Sequence, residues 1–166
     1  FTQVKHFSDT NYDLDGDGKE DFKFELEWQQ AYDASVSWFT VTALNGAEVA
    51  IEEVEVTSYD KDWMVQYFEF GDTIDSNLIW TTGKQTISQG YNRVPEAWYV
   101  ENDYFLGVRL KMDDGYQYGW IRFRSYHNSN QFSRDAAIQL NSGVPIKAGE
   151  GITTIAPVAG PVTIEN

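Results

Sequence analysis

The sequence predicts an all-β protein, an antiparallel β-sandwich or jelly roll, with a flattened β-barrel as the alternative. Three observations lead there. No segment sustains an apolar period of about 3.6 residues, and several stretches alternate apolar and polar residues with the two-residue rhythm of strands. Turn signals also recur at short intervals, among them the hairpin dipeptides Asn45-Gly46 and Asp114-Gly115.

Taken in order, Gln3–Phe7 is expected to form a short first strand leading into an acidic loop. Phe22–Trp28 alternates cleanly, with Phe22, Phe24, Leu26 and Trp28 on one face and Lys23, Glu25 and Glu27 on the other. Ser35–Val56 is expected to fold as a hairpin about Asn45-Gly46, because both residues tolerate positive φ. That turn sets Thr42 against Val49 and Thr40 against Ile51. A bulge at Glu52-Glu53 would then bring Val54 and Val56 into phase with Val36, Trp38, Val49 and Ile51. Met64–Phe70 and Leu78–Thr82 follow as strands, separated by a loop from Gly71 to Asn77. Gly83–Glu96, polar and broken by Pro95, is expected as a surface connection or irregular strand.

The second hairpin, Tyr104–Ser125, is centred on Asp114-Gly115. Counting outward pairs Met112 with Gln117, Leu110 with Gly119, Val108 with Ile121 and Leu106 with Phe123, which makes one face apolar. The other face carries Lys111 opposite Tyr118, Arg109 opposite Trp120, and Arg122 and Arg124 near Phe105. Cross-strand pairing with rings or carboxylates would account for this basic strip; a docking face for an acidic glycan or another copy is the alternative. A polar loop, His127–Ser133, precedes a last strand at Ala136–Asn141, and the chain exits through Val144-Pro145-Ile146. Residues 1–150 are expected to form one domain. Residues 151–166 are expected as a β-prone tail or linker, where Pro157 and Pro161 each remove a ladder donor.

A chain of 166 residues holds one core and is short for two. Six Trp, ten Tyr and ten Phe make it a folded protein, and a net charge of −14 sets nucleic acid and anionic lipid aside as partners. Without cysteine there are no disulfides and no thiolate zinc sites. Only His6 and His127 offer imidazoles. No apolar run approaches the roughly 18 residues of a membrane span, so no membrane insertion is expected. No signal peptide is read in the sequence, and a start at Phe1 suggests a processed or trimmed product.

The chemically specific stretch is Tyr12 to Phe22, in which Asp13, Asp15, Asp17 and Asp21 fall within nine residues. Ca²⁺ takes about six to eight oxygens at roughly 2.3–2.6 Å, which a short loop supplies by curling its carboxylates inward. Asp13, Asp15 and Asp17 would be the first, third and fifth ligand positions, Gly18 the sharp turn and Lys19 the backbone carbonyl. The twelfth position, a bidentate Glu in an EF-hand, is Phe24. Asp21 is therefore the candidate bidentate ligand, and Ca²⁺ the expected cofactor. The plain alternative is a solvated acidic turn, although four carboxylates so close repel one another unless a cation intervenes.

This Asp-x-Asp-x-Asp-Gly-x-x-Asp pattern resembles the calcium loops of integrin-type β-propeller repeats and of many secreted bacterial proteins. Together with Tyr104-Phe105-Leu106-Gly107-Val108-Arg109 and Tyr118-Gly119-Trp120-Ile121-Arg122, it resembles β-rich secreted modules of environmental bacteria. The resemblance implies a calcium-bearing β fold in a secreted or cell-surface protein and implies no activity.

No Gly-x-Ser-x-Gly elbow, His-Glu-x-x-His helix or Glu-x-Asp-x-x-Glu pattern occurs, so an enzyme is not expected. A carbohydrate-binding or adhesive module is, with Trp63, Trp80, Tyr91, Trp98, Tyr99 and Trp120 as candidate rings for a polysaccharide or glycan. Trp28 and Trp38 lie in phase with core positions and are expected to be packing. Trp120 has a second account, the stacking of Arg109 on its indole. A structural subunit assembling by self-association, or a glycan-active enzyme, are the alternatives.

Overall fold

The computed structural model describes residues 2–6, 11–31, 34–57, 60–90, 103–124 and 132–151. Among them are fourteen strands and no helix. In order they are β1 (Thr2–His6), β2 (Asn11–Tyr12), β3 (Phe22–Ala31), β4 (Ala34–Ala43), β5 (Glu48–Thr57), β6 (Asp60–Val65) and β7 (Tyr67–Phe68). There follow β8 (Thr73–Ile74), β9 (Ile79–Thr81), β10 (Gly83–Gly90), β11 (Asp103–Met112), β12 (Gly115–Arg124), β13 (Phe132–Gln139) and β14 (Ile146–Lys147).

The strands form an antiparallel β-sandwich. A large sheet runs β1-β13-β12-β11-β5-β6, with β7 also on β11 and β9 on β5; a smaller one runs β10-β4-β3-β2. Neither closes into a barrel. Between them lies a core built by alternation: Phe22 and Phe24 of β3 and Val41 of β4 meet Leu106 and Val108 of β11 and Ile121 and Phe123 of β12, all nearly inaccessible to solvent. The Phe24 ring lies 4.9 Å from Phe123 and 6.0 Å from Phe39, centroid to centroid.

The large sheet is buried on its other face as well. There Phe105, Tyr118, Trp120 and Ala137 form a second cluster under the two-stranded ribbon of β8 and β14, whose Ile74 and Ile146 pair directly. Phe105 meets Trp120 edge-on at 5.3 Å, and the Trp120 indole N–H donates to the Glu150 carbonyl at 3.3 Å. The expected polar face of β11 and β12 is thus a second interior. Two of its cations are paired there: Arg122 makes two hydrogen bonds to Asp135 and reaches Asp103 at 3.5 Å, while Arg109 bonds Glu48 at 2.6 Å. Pairing with carboxylates and rings therefore accounts for Arg109 and Arg122, the half of the strip whose side chains are held. Lys111 is exposed, and the Arg124 side chain lies outside what is described.

Three expectations are corrected. Asn45-Gly46 does form the turn, with φ of 50° and 86° and a bond from Ala47 N–H to the Leu44 carbonyl at 2.8 Å. It is no hairpin, however: β4 pairs β3 and β10, whereas β5 pairs β6, β9 and β11. The turn is a corner between sheets, because the Leu44 N–H is already taken by the Asp21 carbonyl and the edge of β4 by β10. Thr42 accordingly faces Lys23 and Lys84 rather than Val49.

The bulge of β5 falls between Glu55 and Thr57, and Glu52 and Glu53 pair regularly with Met64 and Trp63. Of Gly83–Glu96, expected as a surface connection or an irregular strand, Gly83–Gly90 is a strand, the bulged edge strand β10. Its single apolar core residue, Ile87, sits at the bulge between Thr86 and Ser88, so no alternation marks the strand.

In the β11–β12 hairpin the register is displaced by two residues. Met112 pairs with Gly115, Leu110 with Gln117, Val108 with Gly119 and Leu106 with Ile121. A type I′ turn at Asp114-Gly115 would need positive φ at Asp114, but among described residues only Asn45 is a non-glycine with positive φ. The loop is Asp113-Asp114, and Gly115 follows it at φ 138°, where glycine is favoured after such a turn. Because the slip is two, every side chain keeps its face. Across from Arg109 stands Tyr118, not Trp120, and across from Lys111 stands Tyr116.

Candidate metal centre

The acidic loop joins β2 to β3 at one end of the sandwich. Its shape is set by its own carboxylates. Asp13 accepts from Gly16 N–H at 2.6 Å through Oδ1 and from Gly18 N–H at 3.0 Å through Oδ2. Both glycines hold positive φ, 83° and 87°, which turns these amides inward. Asp15 accepts from Asp17 N–H at 2.9 Å. These bonds curl the loop back on itself, as the spacing of the aspartates suggests.

Asp21 anchors the far end. Its Oδ2 accepts from Leu14 N–H at 2.7 Å, its own N–H donates to the Tyr12 carbonyl at 2.6 Å, and its carbonyl accepts from Leu44 N–H at 2.8 Å. Buried Tyr12, Leu14 and Phe22 hold this segment in the core. The Asp21 side chain is 6% exposed, and burial pushes its carboxyl up to about 6. The Leu14 amide opposes that shift; the negative charges of Asp15 and Asp13 add to it.

Asp13, Asp15 and Asp21 each bring a carboxylate oxygen into one group whose members all lie within 4.8 Å of one another. Three anionic oxygens at this spacing can hold a cation. Asp17 is placed differently: its carboxylate accepts from the Lys19 N–H at 2.8 Å and from the Lys19 ammonium at 3.0 Å. The Lys19 amide and ammonium hold the Asp17 carboxyl below its ordinary value, and Asp17 in turn raises Lys19. So the loop separates into a convergent trio and an exposed ion pair beside it.

Two of the trio, Asp15 and Asp21, open on a cleft of about 300 Å³ completed by Asp17, Lys19, Asn45, Ala47, Leu110 and Lys111. Asn45 and Lys111 are the members that sequence reasoning missed. Asn45 reaches the site because the turn at the sheet corner lies against the loop, with Nδ2 donating to the Glu20 carbonyl at 2.9 Å. No local pattern signals either contact, since Asn45 comes from the turn between β4 and β5 and Lys111 from β11.

The candidate glycan rings fare unequally. Trp120 is fully buried, which overturns its assignment as a ligand platform: it fills the second core. Trp80 is half-buried, its N–H donating to the Asp75 carbonyl and its ring covered by the Arg109 guanidinium at 4.7 Å. Tyr116 takes the other contact of that guanidinium at 3.8 Å, so the stacking expected on Trp120 is found on Trp80 and Tyr116. Trp63, on strand β6, is 47% exposed. Tyr91, Trp98 and Tyr99 lie outside the described residues, as do residues 152–166, His127, and the side chains of Trp28 and Trp38. No known protein family, curated protein or solved structure matches this chain.

Proposed function

We propose that this chain is a calcium-stabilised, non-catalytic β module that works outside the cell as a carbohydrate-binding or adhesive domain. The observation that carries the calcium is the convergence of Asp13, Asp15 and Asp21 on one point, with Asp21 buried. All three donors are hard carboxylate oxygens, the set that suits Ca²⁺ better than softer metals. Asp13, Asp15 and Asp21 would hold the ion, with the Asp17–Lys19 pair at its rim. Its role is structural: it would neutralise the trio and tie the β2–β3 loop to the sheet corner at Leu44 and Asn45. The secreted setting follows from the loop's resemblance to extracellular calcium repeats and from millimolar Ca²⁺ outside cells, where weak sites stay filled.

Glycan binding rests on Trp63, the exposed indole among the described candidate rings. A flat apolar ring beside polar neighbours is what a sugar face stacks on. Calorimetric titration with CaCl₂, and thermal melting with and without chelator, test the first half; a glycan array tests the second. Ca²⁺ at a hundred times its dissociation constant should stabilise the fold by about 2.7 kcal/mol. Absence of binding heat at millimolar Ca²⁺ would overturn the calcium assignment.

A further inference from the structure

We propose that Asn45 is a site of spontaneous backbone-assisted conversion to aspartate, and that the product adds a carboxylate to the acidic cleft. The reaction needs an asparagine whose following amide nitrogen can reach its side-chain carbon. Asn45-Gly46 is the one Asn-Gly pair in the sequence. Both residues are exposed, and a Cβ built on Gly46 would meet nothing within 4 Å, so no neighbouring group crowds the α-carbon beside the attacking nitrogen. The turn is closed through Ala47 N–H, two residues on, and among the described residues no hydrogen bond ties up the Gly46 amide.

The chemistry balances with water alone. The Gly46 nitrogen, losing its proton, attacks Asn45 Cγ; the new C–N bond closes a five-membered imide and the side-chain nitrogen leaves as ammonia. Water then opens the imide, restoring the Gly46 N–H and leaving a carboxylate, either aspartate or its β-linked isomer. No oxidant or reductant enters. What makes this site consequential is its position. The Asn45 amide donates to the Glu20 carbonyl and lines the same cleft as Asp15, Asp17 and Asp21. A carboxylate cannot donate to a carbonyl, so the new group loses that tether and is left at the rim of the trio, where cation affinity grows with the number of charged ligands.

The test is intact-mass and peptide mapping of the full chain held at mildly alkaline pH, beside N45Q, N45D and a free peptide spanning residues 42–49. The folded chain should convert at Asn45 before any other asparagine, at a rate within about tenfold of the peptide, a barrier difference of roughly 1.4 kcal/mol. N45Q should show no gain in mass there. Lack of conversion at Asn45, or earlier conversion elsewhere, would overturn the proposal. The converted fraction, separated by anion exchange, and N45D should both bind Ca²⁺ more tightly than the starting protein. Conversion with unchanged affinity would overturn the placing of the new charge, whereas a starting protein that binds no Ca²⁺ at all would count against the calcium reading instead.

Discussion

Arg122 and Asp135 face each other across β12 and β13 and share a two-pronged ion pair, with the guanidinium Nη2 and the carboxylate Oδ2 2.6 Å apart. The Asp135 side chain is 2% exposed and that of Arg122 19%, so the carboxylate has almost no water to fall back on. Arg122→Ala should therefore cost about 3 kcal/mol, because it takes from the buried Asp135 carboxylate its two-pronged partner. In a double-mutant cycle with Asp135→Asn, the second substitution should cost much less than it does in the wild type. Urea unfolding measures both, and additive losses would mean that the pair is not the source.

Two substitutions should separate the buried member of the acidic trio from an exposed one. Asp21→Asn keeps an acceptor for the Leu14 amide while removing the buried charge. In chelator at neutral pH it should melt at or above the wild type, yet gain less from Ca²⁺. Asp15→Ala, exposed, should leave the chelated melting temperature nearly unchanged and also blunt the calcium gain. Differential scanning calorimetry with and without Ca²⁺ separates the two.

Glu52 gives the pH dependence. It is half-buried on β5, no hydrogen bond or ion pair reaches it among the described residues, and burial raises its carboxyl above the ordinary 4.5. The folded chain then binds a proton more readily than the unfolded chain, so stability contributed by Glu52 is complete below about 4.5 and lost as pH rises through its raised value. Glu52→Gln should be more stable than wild type at pH 7, with the advantage vanishing in acid. The charge of Glu52 also helps raise the neighbouring Tyr67, whose phenol should ionise at lower pH in the variant. Parallel melts from pH 4 to 8 and an ultraviolet titration of tyrosine check both.

Two tryptophans should separate binding from folding. Trp63→Ala removes an exposed ring and should reduce retention on immobilised glycans while leaving the melting temperature within a degree or so. Trp120→Ala hollows the second core and should cost about 3–5 kcal/mol. If Trp63→Ala binds as the wild type does, the ring has no part in recognition.

Alternation made the faces legible, and that is why Phe22, Phe24, Leu106, Val108 and Phe123 are in the core as expected. It says nothing about which strand lies alongside. The Asn45-Gly46 turn is visible, but whether its arms pair or part depends on β3, the strand just before β4, and on β10, remote in sequence, which hold the two edges of β4. The second interior stayed hidden because Arg109 and Arg122 look like solvent-facing residues until Glu48 and Asp135 are beside them. Of the site, the aspartates were legible from spacing alone. The division of labour between Asp21 and Asp17 was not, because it turns on the Leu14 amide facing one and the Lys19 ammonium facing the other.

The pairing of β1 with β13, Thr2 against Gln139 through His6 against Asp135, has a consequence for how the molecule is made. β1 adds to a sheet whose nearest member to it is translated more than a hundred residues later. Until β13 leaves the ribosome, β1 has no neighbour and must be kept from pairing elsewhere. Closing so long a loop is slow, so folding should end at this seam, with hydrogen exchange in β1 protected last and a transient unpaired edge on β13 as the place where a nascent chain is most prone to meet another.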